Sequence, residues 1–304
     1  MQSVMPSIKK NKKWRKNKNA KLIAFVILFI VSFLFLLPIF YMLGTSFKTS
    51  RDISMNPTKI FPSLEGFTLA HYKEVLLKKE GDASVLKALR NSLIVSSGSV
   101  LLAVIVDSLA AYAFTFLKFK NRLPIYTFVI FSMTIPGIIG TSIRFAAYSA
   151  AGQSLGAADA AWYIFLWLIV PGAVDVYHVF LLKNYFDSIP FEVVESARSD
   201  GASDFKIYTS IIFPLGRSTL LLIGMFTFTT SWNNLFWASL VVGGNDNFKT
   251  ITVYLQNMSS LVGEDKTKGK AMAASVVSLI PILIAFMFMQ NKMIDGLAST
   301  GVKK

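Results

Sequence analysis

Long apolar runs separated by short polar segments dominate the pattern of this chain. Six of the runs are long enough to cross the hydrocarbon core of a bilayer, which is about 30 Å thick and takes roughly 20 helical residues. Because backbone groups in lipid have to be hydrogen-bonded within their own element, we predict helices rather than strands. The sequence therefore predicts an all-α polytopic membrane protein. The predicted spans are 22–43, 92–117, 123–143, 160–182, 218–242 and 271–290.

The composition agrees with a membrane protein and excludes several other classes. The 304 residues are 53% hydrophobic and only 16% charged, which is too apolar for an ordinary soluble domain. The absence of cysteine excludes disulfides, thiolate metal sites and a cysteine nucleophile. The two histidines, His71 and His178, are far apart, and no P-loop, HExxH or GxSxG motif is present. We predict no catalytic residues, no metal and no ATP hydrolysis by this chain itself.

The distribution of Lys and Arg predicts the orientation in the membrane. A basic cluster without acids precedes the first span, and Lys118, Lys120 and Arg122 follow the second span. The positive-inside rule places both groups in the cytoplasm, and six spans return the C-terminus to the same side. The connection 144–159, with only Arg144, is predicted outside. The first cluster consists of Lys9, Lys10, Lys12, Lys13, Arg15, Lys16, Lys18 and Lys21.

The net charge of +14 is also compatible with nucleic-acid binding. The basic cluster, however, directly abuts a span, so topology and attraction to anionic lipid explain it without nucleic acid. The external loop 44–91 carries eight Lys and Arg and five acids, and its length gives it little weight in the orientation. Within this loop, residues 69–89 are predicted to form an amphipathic interfacial helix.

A polar segment between the fourth and fifth spans predicts two short helices with a break between them. We expect Ser188 to cap the first helix, with Pro190 and Glu192 in its first turn. Gly201 supplies a left-handed stop, and Ser203 starts the second helix.

The faces of the first short helix predict its contacts. Val193 and Ala197 share one face by i, i+4 spacing, whereas Glu192, Glu195 and Ser199 share another. The apolar face is expected to grip the membrane domain, while the polar face meets a partner in water.

The order of residues in this segment resembles the EAA loop of permease subunits of bacterial ABC importers. It contains Glu195-Ser196-Ala197, then Gly201 after three residues, and ends with Ile211 and Phe213-Pro214. Ser196 stands where the family usually has Ala, and Phe213 where it usually has Leu. Segments 91–114, 231–237 and 290–304 are similar to the carbohydrate-uptake branch, which includes the second maltose permease subunit. The likeness covers roughly residues 20 to 304.

The resemblance implies a type I ABC importer permease-like bundle in the bacterial cell membrane. Its partners would be a second homologous permease, two cytosolic ATPase subunits that bind ATP and Mg, and an extracellular sugar-binding lipoprotein. The predicted parts are a basic cytoplasmic tail 1–21, a first helix with external loop 22–91, a five-helix core 92–290 containing the coupling loop 183–217, and a cytoplasmic tail 291–304. The implied ATPase-coupling residues are Glu192, Glu195, Ser196, Ala197, Asp200 and Gly201.

The resemblance also places two other contacts. The loop 243–269 would lie outside and touch the binding protein through Gly243, Gly244, Asn245 and Asp246. The C-terminal tail would reach the ATPase dimer. The family's tail ends with a Gly after the Lys, and Lys304 departs from that pattern.

Four polar or aromatic residues inside spans are candidates for the substrate pathway. Asp107 lies mid-span, where an ionised group costs about 2.5 to 3.5 kcal/mol and needs compensation. It either accepts hydrogen bonds from sugar hydroxyls or pairs with a side chain of a neighbouring helix. Trp232, Asn233 and Asn234 interrupt the fifth span and offer a ring for stacking and amides for hydroxyls, or else they serve helix packing.

Asp175 and His178 pose a similar choice near the inner end of the fourth span. They lie three residues apart on one predicted helical face, and we expect a structural pair or interfacial snorkelling.

Three classes of function compete. The first is a permease subunit of an ABC importer for a sugar or oligosaccharide, or for a non-sugar solute. The second is an ion-coupled secondary transporter, for which Asp107 and Asp175 are coupling candidates but no internal repeat is evident. The third is a membrane anchor, which leaves the polar residues within spans unexplained. Co-purification with an ATPase separates the three.

Overall fold

A computed structural model describes residues 18–77, 84–260 and 265–301 of the chain. Within these ranges the protein is built of helices, and its β contact is an isolated bridge between Lys48 and Phe67. The all-α prediction is therefore confirmed. The basic cluster before residue 18 and the terminal Val302-Lys303-Lys304 lie outside the described residues.

The described helices are accompanied by a 3-10 turn at Ser132–Thr134 and a π-helical turn at Tyr208–Ile212. They are α1 (Lys18–Ser46), α2 (Ser50–Met55), α3 (Ala70–Leu77), α4 (Val85–Phe116), α5 (Arg122–Phe131), α6 (Ile139–Leu155), α7 (Ala161–Ala173), α8 (Val176–Phe186), α9 (Phe191–Ser199), α10 (Asp204–Ile207), α11 (Phe213–Leu215), α12 (Arg217–Trp232), α13 (Phe236–Val242), α14 (Ile251–Ser260) and α15 (Asp265–Gly301).

Three helices of the described chain, α1, α4 and α15, are each long and apolar enough to cross a membrane. Three further crossings are bent. The α5–α6 pair bends by 101°, α7–α8 by 48°, and the segment 204–215 by 79° against α12. Six crossings result if each bent pair counts as one, which matches the number of apolar runs. Pro136-Gly137 lies at the first bend and Pro171 in the last turn of α7, where a missing N–H interrupts the helical ladder.

Several predicted boundaries differ from the structure. The second crossing begins at Val85 rather than 92, because Ser84 caps α4 by accepting a hydrogen bond from the Lys87 N–H at 3.2 Å. The helix predicted over 69–89 is therefore divided between α3 and the start of α4. The connection 243–269, predicted to be an external loop, contains α14 and the first turn of α15.

The α4 helix lies at the centre of the bundle and packs against α7, α8, α12 and α14. Small buried side chains on it, among them Ser96, Ser99 and Ala103, allow neighbouring helices to approach closely. The α12 helix also packs against α15, and α15 carries α1 on its outside. Almost all side chains of α1 between Lys21 and Phe40 are exposed, as expected for a peripheral lipid-facing helix.

The outer loop after α1 folds into a cap that packs against α15 through α2 and α3. Lys48 is buried inside this cap, where its ammonium donates hydrogen bonds to the carbonyls of Asn56 and Lys59. His71 donates a hydrogen bond from Nε2 to the Lys48 carbonyl at 2.9 Å. The imidazole of His71 also lies so close to Gly269 of α15 that a Cβ there would overlap it. The cap is thus joined to the sixth crossing at a seam without room for a side chain.

Candidate coupling site and translocation pathway

The α9 helix presents one apolar residue inward and most of its polar residues outward. Val194 is fully buried in the core formed by the inner ends of α4 and α8 and by the segment 204–215, and Ala197 packs partly against it. Val193, predicted on the buried face, is 39% exposed, so that assignment was wrong. The buried stripe follows i, i+3 spacing from Val194 to Ala197 instead.

The coupling residues other than Ala197 lie on the exposed side of this helix or at its end. They are Glu192, Glu195, Ser196, Asp200 and Gly201. With Ala197 half-buried beneath them, these residues form an exposed surface. Their role in ATPase coupling stays a prediction.

The start of α9 differs from the prediction. Pro190, rather than Ser188, is the N-cap, and Phe191 is the first helical residue. Ser188 instead donates a hydrogen bond to the carbonyl of Tyr185 at 2.6 Å, so it satisfies the end of α8. Glu192 lies in the first turn of α9, as predicted, where its negative charge suits the unpaired N–H groups.

The end of α9 is a complete Schellman motif. Gly201 adopts φ +82° and donates its N–H to the carbonyl of Arg198 at 2.9 Å, while the N–H of Ala202 bonds to Ala197 at 3.0 Å. Ser203 then caps α10 by accepting from the Lys206 N–H at 3.3 Å. The predicted stop and restart are therefore present, and the angle between the two short helices depends on one left-handed residue.

Residues 183–217, the predicted coupling loop, are called the coupling segment below. Arg198 joins this segment to the second crossing, a role that the sequence did not predict. Its Nη2 donates to Asp204 Oδ1 at 2.8 Å and to the carbonyl of Phe116, the last residue of α4, at 3.1 Å. The hydrogen bond to Asp204 raises the pKa of Arg198 above its usual value. Arg198 thus caps α4 and holds the beginning of α10 at the same point.

Two tyrosines form a second connection between α4 and the coupling segment. Tyr112 donates a hydrogen bond to the carbonyl of Asp204 at 3.1 Å, and the Tyr208 hydroxyl lies 2.6 Å from that of Ser108. Ile207, just before the π-helical turn, and Ile212, its last residue, are fully buried in the same core. The segment 204–215 is therefore fixed to α4 by polar bonds and by packing.

Asp107 pairs with a neighbouring helix in this structure. Its Oδ2 lies 3.1 Å from Nδ1 of His178, and both side chains are buried. The predicted structural pair of Asp175 and His178 on one helical face is wrong. The chain leaves helical geometry at Val174 and restarts at Val176, so Asp175 lies outside the helix that contains His178. Asp175 is the N-cap of α8 and accepts from the Tyr177 N–H at 2.8 Å.

The three candidates in the fifth crossing have different environments. Trp232 is buried and stacks on Phe228 with ring centroids 5.6 Å apart. Asn233 is exposed, and its amide donates to the carbonyl of Thr229 at 2.9 Å. Asn234 is half-buried, and its Oδ1 accepts from the Trp237 N–H at 3.2 Å at the start of α13. Of the three, Asn233 is the residue whose surroundings in this conformation best suit a hydrated path.

The loop after α13 is anchored at its base and exposed at its tip. Gly243 and Gly244 are exposed, whereas Asp246 forms an ion pair with Lys249. Asn91 of α4 donates to the carbonyl of Asn247 at 2.9 Å, which ties the base of the loop to the second crossing. The tip, with Asn245 half-buried, is placed where a partner can reach it.

Cysteine labelling tests which of these candidates water reaches. In this cysteine-free protein, Asn233→Cys should react quickly with a small aqueous thiol reagent, whereas Asp107→Cys and Trp232→Cys should react slowly in the nucleotide-free state. Leu101→Cys, on an exposed apolar side of α4, is the lipid-facing control. Fast labelling at position 107 would contradict the burial of the Asp107–His178 pair, and no labelling at position 233 in any nucleotide state would remove Asn233 from the pathway.

The fold is that of a polytopic membrane subunit in which a short amphipathic helix, α9, lies between two crossings. Residues 99–295 match the family described as binding-protein-dependent transport system inner membrane component, and the chain belongs to this family. Its members are membrane-spanning subunits that work with a binding protein and ATPase partners. The chain is thus a multi-pass ABC importer permease and not the subunit that hydrolyses ATP, which excludes the secondary-transporter and anchor alternatives.

Individual relatives agree with this assignment. The chain is 34% identical over 281 residues to the inner membrane ABC transporter permease protein YcjP of Escherichia coli K12, covering 91% of this chain and 93% of YcjP. It is 29% identical over 286 residues to the galactooligosaccharides transport system permease protein GanQ of Bacillus subtilis, covering 93% and 95%. The crystal structure of a bacterial ABC transporter involved in the import of the acidic polysaccharide alginate matches with TM-score 0.73 at 21% identity, over 93% of this chain and 99% of that chain.

Proposed function

We propose that this permease imports a sugar or oligosaccharide, delivered by an extracellular binding protein, into the cytoplasm by alternating access. The observation that carries the transport mechanism is the coupling segment, in which an exposed helix is bonded directly to the ends of two crossings. The carbohydrate class is supported by relatives named for alpha-glucosides, galactooligosaccharides and maltodextrin. A permease of the same family for a non-sugar solute is the alternative.

Coupling follows from the bonds of the segment. A cytosolic ATPase would bind the exposed side of α9 around Glu195, Ser196 and Asp200. When the ATPase subunits close, the displaced helix would pull on α4 through Arg198, whose guanidinium bonds to the Phe116 carbonyl. The same displacement would reach α12 through Ile207, Tyr208 and Ile212, the buried residues of segment 204–215, which pack in one core with Leu220 and Ile223. The bond of Arg198 to α4 and this packing against α12 thus give one docking event two routes into the bundle.

The remaining partners are proposed on the same basis. The chain would pair with a second, homologous permease, and two ATPase subunits would bind ATP and Mg, which are the cofactors of the complex rather than of this chain. Both termini would be cytoplasmic, because the coupling segment and the acid-free group around Lys118 have to lie on one side. The exposed loop tip at Gly243 and Gly244 would then face the binding lipoprotein. Anionic lipid would contact the basic N-terminal cluster.

The assembly can be tested directly. We expect the tagged chain, purified from its native host, to bring with it one different permease and two ATPase subunits, and to import a labelled oligosaccharide into proteoliposomes only with ATP and the binding protein. Native mass spectrometry of the same sample gives the stoichiometry. An active complex with two copies of this chain would contradict the heterodimer, and import without ATP would contradict the proposed function.

A further inference from the structure

Three interruptions of helical structure border one cavity of about 200 Å³. Its wall contains Gly137 and Ile138 from the bend between α5 and α6, Pro171 and Gly172 from the last turn of α7, and Asn234 from the gap between α12 and α13. Non-helical backbone at membrane depth is tolerated where protein buries it or where it lines a watery cavity. Two gaps of this kind, with the proline-containing last turn of α7 beside them, therefore indicate a polar site.

The lengths of the adjoining helices place the cavity away from both ends of the fourth crossing. The α8 helix continues for 11 residues on one side, which is about 16 Å, and α7 has ten residues before Pro171 on the other, or about 15 Å. An adjoining cavity of about 300 Å³ shares Ile138, Thr141 and Phe236 with the first. The first is smaller than the roughly 300 to 1,000 Å³ that enclose a drug-sized ligand, and the second is at the lower end of that range. Each therefore suits one unit of a chain molecule rather than a whole oligomer.

Arg144 supplies a positive charge at this site, although the sequence analysis placed it in an external connection. Its Nη2 donates to the carbonyl of Gly137 at 3.2 Å and to Thr141 Oγ1 at 3.4 Å, and its guanidinium lies 5.5 Å from the ring centroid of Trp237. Among the residues that the structure describes, no carboxylate forms an ion pair with it. An ionised group at membrane depth without a counter-ion marks a functional site.

The other groups of the cavity suit a sugar ring. Asn234 uses Oδ1 to accept from the Trp237 N–H, which leaves its amide group as a donor for a hydroxyl. Phe236 is 56% exposed and borders both cavities, so its ring offers an apolar face for stacking. Trp237 is only 6% exposed and donates Nε1 to the Trp167 carbonyl, so it supports Arg144 rather than the ligand.

We propose that this cavity binds one carboxylate-bearing unit of the transported saccharide, a uronic acid, through Arg144. The inference rests on the proposed function and names its substrate class. The guanidinium is a planar fork that can donate two hydrogen bonds to one carboxylate. Its bonds to Gly137 and Thr141 both use Nη2, which leaves Nη1 and Nε to donate to the carboxylate. A neutral sugar would satisfy the donors but leave the charge of Arg144 uncompensated in a medium of low dielectric constant.

The test compares sugars that differ only at C6. Purified transporter complex, without its binding protein, is titrated with D-galacturonate and D-galactose, and with D-glucuronate and D-glucose, while tryptophan fluorescence is recorded. At least one uronate should bind about ten- to a hundredfold more tightly than its neutral partner, as one charge-assisted hydrogen-bond pair predicts. Acetate is the control for a general anion effect. Equal binding of acid and neutral sugars, or equal binding of uronate and acetate, would overturn the inference.

Two substitutions locate the effect. Arg144→Gln should remove the preference for the acid sugar while Arg217→Gln, at the cytoplasmic start of α12, should keep it. Asn234→Asp retains the acceptor for the Trp237 N–H and introduces a carboxylate into the cavity, so it should reduce uronate affinity about tenfold even if Arg144→Gln fails to fold. An unchanged preference in either cavity variant rejects the site. ATP-driven import of a neutral oligosaccharide with no acid preference would reject this inference and leave the proposed function standing.

Discussion

Gly201→Val should separate ATP hydrolysis from transport, with import falling about tenfold while the ATPase rate stays near that of the wild type. Gly201 has φ +82°, a conformation that costs an L-residue roughly 1 to 2 kcal/mol and a β-branched one more. A Cβ at this position would meet no atom within 4 Å, so the penalty comes from the backbone and not from a clash. The expected consequence is a changed angle between α9 and α10 in a protein that still folds.

Gly201→Asn is the matched control, since asparagine adopts the left-handed conformation more readily than other non-glycine residues. It should retain most of the import activity. Uptake and phosphate release are measured in the same proteoliposomes, so that a loss of assembly is not mistaken for uncoupling. Normal transport by the valine variant would refute the coupling role. Equal losses in both variants would show that any side chain at 201 obstructs the docked partner.

His178→Leu should produce the largest loss of stability of any single change considered for the bundle, about 3 to 5 kcal/mol. The substitution removes the partner of Asp107, whose Oδ2 lies 3.1 Å from the imidazole and whose side chain is fully buried. A buried carboxylate without a partner is strongly disfavoured, particularly within a membrane. The measurement is the thermal midpoint of the purified complex, followed by fluorescence-detected gel filtration.

Adding Asp107→Asn to His178→Leu should recover most of the lost stability, because an amide of nearly the same volume replaces the ionisable carboxyl group. Asp175→Asn is the control for a nearby acid: its side-chain oxygen still accepts from the Tyr177 N–H, so it should behave like the wild type. If His178→Leu alone is as stable as the wild type, the Asp107–His178 pair does not stabilise the bundle. If the double variant is stable but inactive, the pair has a role in transport as well.

The sequence predicted the features that depend on local chemistry. Apolar runs gave the six crossings, because the thickness of the bilayer fixes the length of any spanning helix. The left-handed stop at Gly201 and the cap at Ser203 follow from backbone preferences of those residue types, and both are present. Glu195 and Asp200 are exposed beside them, in agreement with the predicted polar surface.

Features that depend on the relation between elements were not predictable in the same way. Helical spacing suggested that Asp175 and His178 share a face, but Asp175 has extended backbone geometry as the N-cap of α8 and its carboxylate accepts from the Tyr177 N–H, while His178 faces Asp107. Periodicity likewise put Val193 inward, whereas the direction from which α9 meets α4 buries Val194 instead. The bond from Arg198 to Phe116 joins residues 82 positions apart, and no local pattern marks it.

Arg144 shows the same limit in another form. Read along the chain, it is one basic residue just beyond a run of apolar ones, which favours an external connection. The 101° bend between α5 and α6 instead turns it back toward the helix breaks in the interior. A linear hydropathy pattern contains no information about such a turn. The cavity depends on how the helix ends lie relative to one another in the folded chain, which the pattern does not specify.

The seam between His71 and Gly269 determines where reporter groups can be attached to this protein. Position 269 accepts not even alanine without moving an imidazole that is bonded to the Lys48 carbonyl, so a cysteine there would report on a disturbed outer cap. Gly140, in the first turn of α6, has no atom within 4 Å of the position of a Cβ and does not line the cavity of Arg144. A spin label or fluorophore for distance measurements during the transport cycle therefore belongs at a position such as 140 rather than along the cap.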